Sequence, residues 1–193
     1  IEISVLANDA SISEDGTKLG DPTEVAFIDF SEKLNQPYQE IRNNYPRQAE
    51  LPFDSDRKLM STGHTIDNEN YLFVKGGPDI VFQRSKKVLL NGEVVPMTDE
   101  LMKKFQEQNE AFSTRALRVL AFAYRPLDNF DLSFEDEDDL ILVGLLAMID
   151  PPRAEVTQAV TEARSAGIKT IMITGDNPLT AAAIAAEAGV DDF

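Results

Sequence analysis

The 193-residue sequence contains no cysteine, so disulfides, thiolate metal sites and a cysteine nucleophile are excluded. Its one histidine, His64, rules out a His-rich metal site and argues against a His-based triad. Positive charge is scarce: 18 Lys and Arg stand against 34 Asp and Glu, a net of -16. A general binder of nucleic acid or of an anionic membrane needs the opposite balance, so nucleic acid is not an expected partner. A small basic pocket for one anionic ligand remains compatible with this charge. No apolar run is long enough to cross a bilayer. The longest, residues 140–149, is about half of the ~20 residues that a spanning helix requires. The N-terminus has no basic segment or cleavage pattern, so it does not read as a signal peptide. It also lacks an initiator Met, which hints at a chain cut from something larger.

What is present is an ordinary globular mixture, 42% apolar and 27% charged, enough for one large domain or two small ones. Asp21-Pro22-Thr23-Glu24 opens a helix, with Asp21 as N-cap, Pro22 at N1 and Glu24 at N3. Residues 58–66 and 71–75 alternate as two strands around a turn at 67–70. Gly77-Pro78 starts a short helix. Asn91-Gly92 joins residues 88–90 and 93–95 in a hairpin. A helix is predicted over 98–113, with Leu101, Phe105 and Phe112 at helical spacing, and a strand over 117–124. Residues 128–139 carry seven acids and no base and read as a solvated loop.

Beyond it the pattern changes to strand, helix, strand, helix: a buried parallel-type strand at 140–149, a helix from Arg153 to the C-cap Gly167, a buried strand at 168–173, and a helix from Asn177 to Gly189. Two strands cannot bury both faces of such a sheet, so this second unit reads as half a domain, with a boundary near 140.

Several short strings suit a nucleotide. Phe53, close to Arg57 and Lys58, could stack a purine beside cations that meet its phosphates. Taken alone, Phe53 reads first as a core ring, and the two cations as surface charges. Lys75-Gly76-Gly77-Pro78 places a lysine at a strand end before glycines and a helix N-terminus, a cradle for phosphate; a solvated lysine at a hairpin exit is the plain alternative. The Walker spacing occurs nowhere. Arg118, inside an apolar strand, needs an anion or a route to solvent. Glu24 has a purely structural reading in a capping box. Thr174-Gly175-Asp176 lies where open α/β sheets bind ligands. His64 reads as a strand residue without a special role.

Six strings occur in order: Gly20-Asp21-Pro22-Thr23-Glu24; Pro52-Phe53-Asp54-Ser55-Asp56-Arg57-Lys58-Leu59-Met60-Ser61; Lys75-Gly76-Gly77-Pro78-Asp79; Arg118-Val119-Leu120-Ala121; Asp150-Pro151-Pro152-Arg153; and Met172-Ile173-Thr174-Gly175-Asp176. Together they resemble the large cytoplasmic loop of type II P-type cation-transporting ATPases, the group of calcium and sodium/potassium pumps, over nearly the whole chain. The resemblance implies an α+β nucleotide-binding domain over 1–140, an antiparallel sheet flanked by helices. It also implies a partial Rossmann-like phosphorylation domain of the haloacid-dehalogenase type over 141–193. Phe53 would stack adenine, with Glu24 on the adenine side. Lys75 and Gly76 would line the pocket, Lys58 would help close it, and Arg118 would reach the phosphates. Thr174, Gly175 and Asp176 would sit near the γ-phosphate, with Asp150 and Arg153 close by.

Ser55 stands where calcium pumps often carry Arg, so the resemblance does not carry over one phosphate contact. Gly76-Gly77-Pro78-Asp79 replaces the usual Gly-Ala-Pro-Glu. The phosphorylated aspartate of Asp-Lys-Thr-Gly-Thr is absent, so no catalytic residue is expected in this chain. The magnesium-holding Gly-Asp-Gly-x-Asn-Asp is absent too, so no metal site is expected. The implied parent is a membrane pump that forms an aspartyl-phosphate, with calcium as the favoured ion. The chain itself would be a soluble piece at the cytoplasmic membrane face, working with the pump's transmembrane and actuator domains. It would bind ATP or ADP, with Mg²⁺ accompanying ATP, at a dissociation constant of roughly 1 mM. Two other readings are a haloacid-dehalogenase-type phosphatase, whose first motif Asp-x-Asp-x-Thr is missing, and a non-catalytic interaction module using 128–139.

Overall fold

A computed structural model describes residues 1–115, 117–149, 153–174 and 178–190. Two compact units are present. The first comprises Ile1–Met102 and Leu120–Leu146, the second Lys103–Val119 and Ala147–Phe193.

The elements run α1 (Glu2–Leu6), β1 (Ser11–Ile12), β2 (Lys18–Leu19), α2 (Pro22–Lys33), α3 (Tyr38–Asn44), β3 (Ala49–Asp54), β4 (Leu59–Ile66), β5 (Glu69–Gly76), α4 (Pro78–Arg84), β6 (Ser85–Leu90), β7 (Glu93–Pro96), α5 (Asp99–Ser113), β8 (Arg118–Leu127), a 3₁₀ helix (Phe134–Glu137), β9 (Leu140–Met148), α6 (Ala154–Ser165) and α7 (Pro178–Ala188). Apart from the small β1–β2 pair, the strands form one seven-stranded sheet in the order β3-β4-β5-β8-β9-β6-β7. The chain is thus a mixed α/β protein with a large sheet flanked by helices.

Local chemistry accounts for most of these elements. Asp21 caps α2 by accepting from the Thr23 N–H at 2.8 Å, and Pro22 follows at N1. The β4–β5 hairpin turns at Asp67 and Asn68, both with positive φ. The β6–β7 hairpin turns at Asn91-Gly92, with φ of 51° and 85°. Pro78 begins α4, and Gly189 follows α7 with φ of 82°.

Register fixes the two faces of the β3–β4–β5–β8 portion. Met60 pairs with Lys75, and Lys75 with Phe122, so these three share a face with Phe73, His64 and Tyr124. Helices α1–α3 cover that face. Leu6 and Ala7 pack on Phe73, and Phe27 of α2 meets Phe122 edge to face, with centroids 5.3 Å apart. His64 Nδ1 donates to the Tyr45 carbonyl at 2.8 Å.

The other face carries Ser61, Gly63 and Arg125, and residues 128–139 lie over it. A Cβ on Gly63 would fall 2.7 Å from Phe130. Arg125 donates to the carbonyls of Asp136 and Asp138. This corrects the expectation of a simple solvated loop. The acids on its outer side are exposed, but Glu137 is fully buried and both its oxygens are bonded. With so many acids in one segment, the pattern conceals which of them faces inward.

Two further expectations are revised. The sheet is mixed, because β9 runs parallel to β6, with Lys87 opposite Ile141 and Val88 opposite Leu142. Residues 168–173 form no strand. A parallel strand needs a neighbour to take its backbone groups, and β9 already lies between β8 and β6. Ile168, Ile171 and Ile173 are exposed instead, Ile173 to 93%. In the second unit α6 and α7 pack through Val160, Ala185, Ala188 and Val190, with Val156 and Met172 against them. Among the described residues no helix is long and apolar enough to cross a membrane.

Candidate functional site

The candidate site is built on the first unit, where β5 meets the first turn of α2 and β4 and β3 follow it in the sheet. Lys75 is the last residue but one of β5 and points toward the covered face, only 5% exposed. Burial alone would drive an ammonium toward its neutral form, and it holds the Lys75 pKa below the usual lysine value. Glu24 opposes this. Its Oε1 accepts from Lys75 Nζ, while its Oε2 accepts from the Asp9 N–H at 3.1 Å. The Glu24 carbonyl in turn accepts from Asn8 Nδ2 at 2.9 Å. Glu24 therefore does more than occupy the first turn of α2: it is the counterion of a buried lysine, bridging α2, β5 and the loop after α1.

Phe53 lies on β3 between Leu51, paired with Ser61, and Asp54, paired with Leu59. Met60, at that level of β4, pairs with Lys75. Phe53 and Lys75 thus stand at one level of the sheet, two strands and about 10 Å apart. The Phe53 ring is 63% exposed. A core ring would be covered, so the core reading of Phe53 fails, and an exposed aromatic at the level of Lys75 remains.

Lys58, with a left-handed φ of 55°, leads into β4. Its ammonium lies 3.5 Å from Asp79 of α4, and its carbonyl accepts from the Gly77 N–H at 3.1 Å. A Cβ on Gly76 would collide with that carbonyl. Glycine is needed at 76 because two backbones touch there. Lys58, Gly76 and the start of α4 are accordingly one locus, next to Lys75.

Arg57 does not behave as a surface charge. Its Nε donates to Glu137 Oε2 at 2.6 Å, and its side chain is largely buried. The sequence pattern offers Arg57 as a phosphate-facing or surface cation near Phe53, not as half of a buried pair, and does not distinguish Glu137 from the acids around it. A buried pair 80 positions apart in sequence leaves no local signal.

Arg118 begins β8, is exposed and falls in the second unit. Arg153 is exposed at the N-cap of α6, and Thr174 is exposed. Asp150, Gly175 and Asp176 lie outside the described residues. The structure thus joins Glu24 with Lys75 and Lys58 with Gly76, and sets Phe53 at their level. Among the described residues no group of three or more His, Asp or Glu side chains is placed to hold a metal. An apolar cavity of about 490 Å³ in the first unit, walled in part by Tyr71, Phe73, Phe122 and Leu145, contains none of the expected site residues.

The family model described as P-type ATPase, cytoplasmic domain N, matches residues 1–155. The chain belongs to this P-type ATPase family. A calcium-transporting ATPase of Lactococcus lactis is 57% identical over 188 residues, covering 96% of this chain and 21% of that protein. One of Listeria monocytogenes is 54% identical over 194 residues, covering 100% of this chain and 22% of its own. A sodium/potassium-transporting ATPase α subunit of Rattus norvegicus is 37% identical over 186 residues, covering 90% and 18%. The chain thus spans about a fifth of the length of these relatives. Within the P-type ATPase match lie all the first-unit site residues and Arg118, whereas Thr174 falls beyond it.

Proposed function

We propose that this chain is the nucleotide-binding piece of a P-type ATPase and takes ATP or ADP at the Phe53–Lys75 locus. The observation that carries the reading is the pairing of an exposed ring with a buried, counterion-held lysine at one level of the sheet. An exposed aromatic offers a face to a purine. Lys75 offers a positive charge whose partner, Glu24, is also an acceptor for an exocyclic amino group. Lys58 and Gly76 supply a second charge and a close-approach backbone on the phosphate side. Arg118 is assigned to the phosphates on the family resemblance.

The parent protein is proposed to be a cation pump, with calcium favoured because the calcium-transporting relatives are the more similar of those compared. Its reaction would pass through an aspartyl-phosphate on a residue outside this chain, with charge neutralisation supplying most of the catalysis. Transmembrane and actuator domains of the same polypeptide are its proposed partners. Mg²⁺ would arrive with ATP; none of the described carboxylates is assigned to it. Residues from about 141 on, including Thr174, Gly175, Asp176, Asp150 and Arg153, are proposed as part of a haloacid-dehalogenase-type phosphorylation domain. This assignment rests on the order of the motifs.

Calorimetric titration with ATP, ADP and adenosine tests the reading. Binding of all three, weakened by Phe53→Ala, supports it. No heat up to several millimolar, with the chain folded, refutes it.

A further inference from the structure

Arg57 and Glu137 make a buried ion pair, Nε to Oε2 at 2.6 Å. Glu137 has no exposed surface, and its other oxygen accepts from Ser61 Oγ at 2.6 Å. A carboxylate taken out of water needs partners for both oxygens, and this one has them. The Arg84 guanidinium donates to its carbonyl at 3.2 Å, which fixes the backbone as well.

The rest of the Arg57 guanidinium turns back onto its own loop. Nη2 donates to the carbonyls of Pro52, at 2.8 Å, and Leu59, at 3.3 Å. Those two carbonyls bracket Phe53 through Lys58. Inside the bracket, Asp54 Oδ1 accepts from the N–H groups of Asp56 and Arg57. The Phe134 ring covers the guanidinium from outside, 4.7 Å from its carbon to the ring centroid. The β3–β4 ladder shifts register between Leu51 and Asp54, so regular strand pairing is interrupted at Phe53 itself. The guanidinium fork adds side-chain bonds to the backbone ties between Asp54 and Lys58–Leu59 that close this loop. A lysine has no such planar set of donors.

We infer that Glu137, acting through Arg57, is a positioning residue for nucleotide binding. It holds the 52–59 loop so that the exposed Phe53 ring and Lys58 present a fixed platform. The inference rests on the nucleotide reading above and gives the acidic 128–139 segment a role in it: the segment supplies the anchor of the platform from the opposite face of the sheet. An apolar pair could match a buried ion pair for stability. It could not supply the directed bonds to Pro52 and Leu59.

The chain has no tryptophan, so Phe53→Trp creates a single fluorescent reporter at the platform. Steady-state anisotropy and ATP quenching are measured in this background alone and combined with Glu137→Gln, Arg57→Lys or Phe134→Ala. Phe134 is 62% exposed, so its replacement leaves the core intact even where Glu137→Gln impairs folding. The expected result is lower indole anisotropy with Glu137→Gln and Arg57→Lys. Their ATP dissociation constants should rise about fivefold to tenfold, and that of Phe134→Ala about twofold, as partial loss of a stacking contact gives. Unchanged anisotropy and affinity in Arg57→Lys and Phe134→Ala, whatever the melting temperatures do, would overturn the inference and leave the pair a structural one. Absence of ATP binding by the parent and Phe53→Trp chains alike overturns the nucleotide reading and this inference with it. Binding by both without a response to loss of the anchor overturns only the inference.

Discussion

The Lys75 ammonium donates to the Glu24 carboxylate across 51 positions of chain, joining the end of β5 to the first turn of α2. Both side chains are mostly withdrawn from solvent. Neither charge is tolerable there without the other, since an unpaired buried ion costs far more than a paired one.

Removing one partner should therefore be costly. Glu24→Ala is expected to destabilise the chain by about 3 kcal/mol, the range for breaking a largely buried pair. Glu24→Ala combined with Lys75→Met should recover a good part of that loss, because no charge is then stranded. Urea unfolding of the two variants checks this; a double variant no more stable than the single one would show that the pair's charge is not the issue.

Phe53 should separate binding from stability. Its ring is mostly exposed, so Phe53→Ala is expected to leave the melting temperature within error while weakening ATP by about 2 kcal/mol, roughly thirtyfold. Thermal unfolding and calorimetry on the same sample give both numbers.

Gly76 should refuse a side chain. A Cβ there would collide with the Lys58 carbonyl and with Leu59 Cδ2. The carbonyl is backbone and has little room to withdraw. Gly76→Ala is expected to cost about 2 kcal/mol, as overpacking does, and to weaken nucleotide by displacing Lys58. A melting curve and an ATP titration matching the parent chain would contradict this.

His64 gives the chain a pH dependence. It is buried, its Nε2 has no hydrogen-bond partner among the described residues, and burial lowers its pKa from 6.5. The unfolded chain takes up the proton first as pH falls, so the contribution of this group is complete above about 6.5 and is lost progressively toward the lowered value. Unfolding free energies between about pH 7.5 and 5.0 are expected to decline more steeply for the parent chain than for His64→Gln. Equal slopes would assign the decline to other groups.

What the sequence conveys about this fold is mostly local. Asp21 before Pro22, Asn91-Gly92 between apolar residues, and the alternation of 58–66 each act within a few residues, and each signals an element that forms, the last as β4 over Leu59–Ile66. Partnerships are a different matter. Nothing near Glu24 says that its carboxylate meets Lys75, and nothing distinguishes Glu137 from the acids on either side. The six ordered strings suggest the proposed site through family likeness, whereas the buried pairs Glu24–Lys75 and Arg57–Glu137 appear only once the sheet is assembled. Residues 168–173 illustrate the converse. Their apolar character matches a parallel strand, but a strand exists only where another offers it hydrogen bonds.

Nucleotide binding by Phe53 of β3 together with Lys75 of β5 and its partner Glu24 of α2 is tested most directly by amide chemical-shift mapping of an ATP titration. The expected result is a single cluster of saturable shifts at Glu24, Phe53, Lys58, Lys75 and Gly76, lost in Lys75→Ala. Saturable shifts confined to the exposed acids of 128–139, or none at any of these five residues at several millimolar ATP, would contradict it.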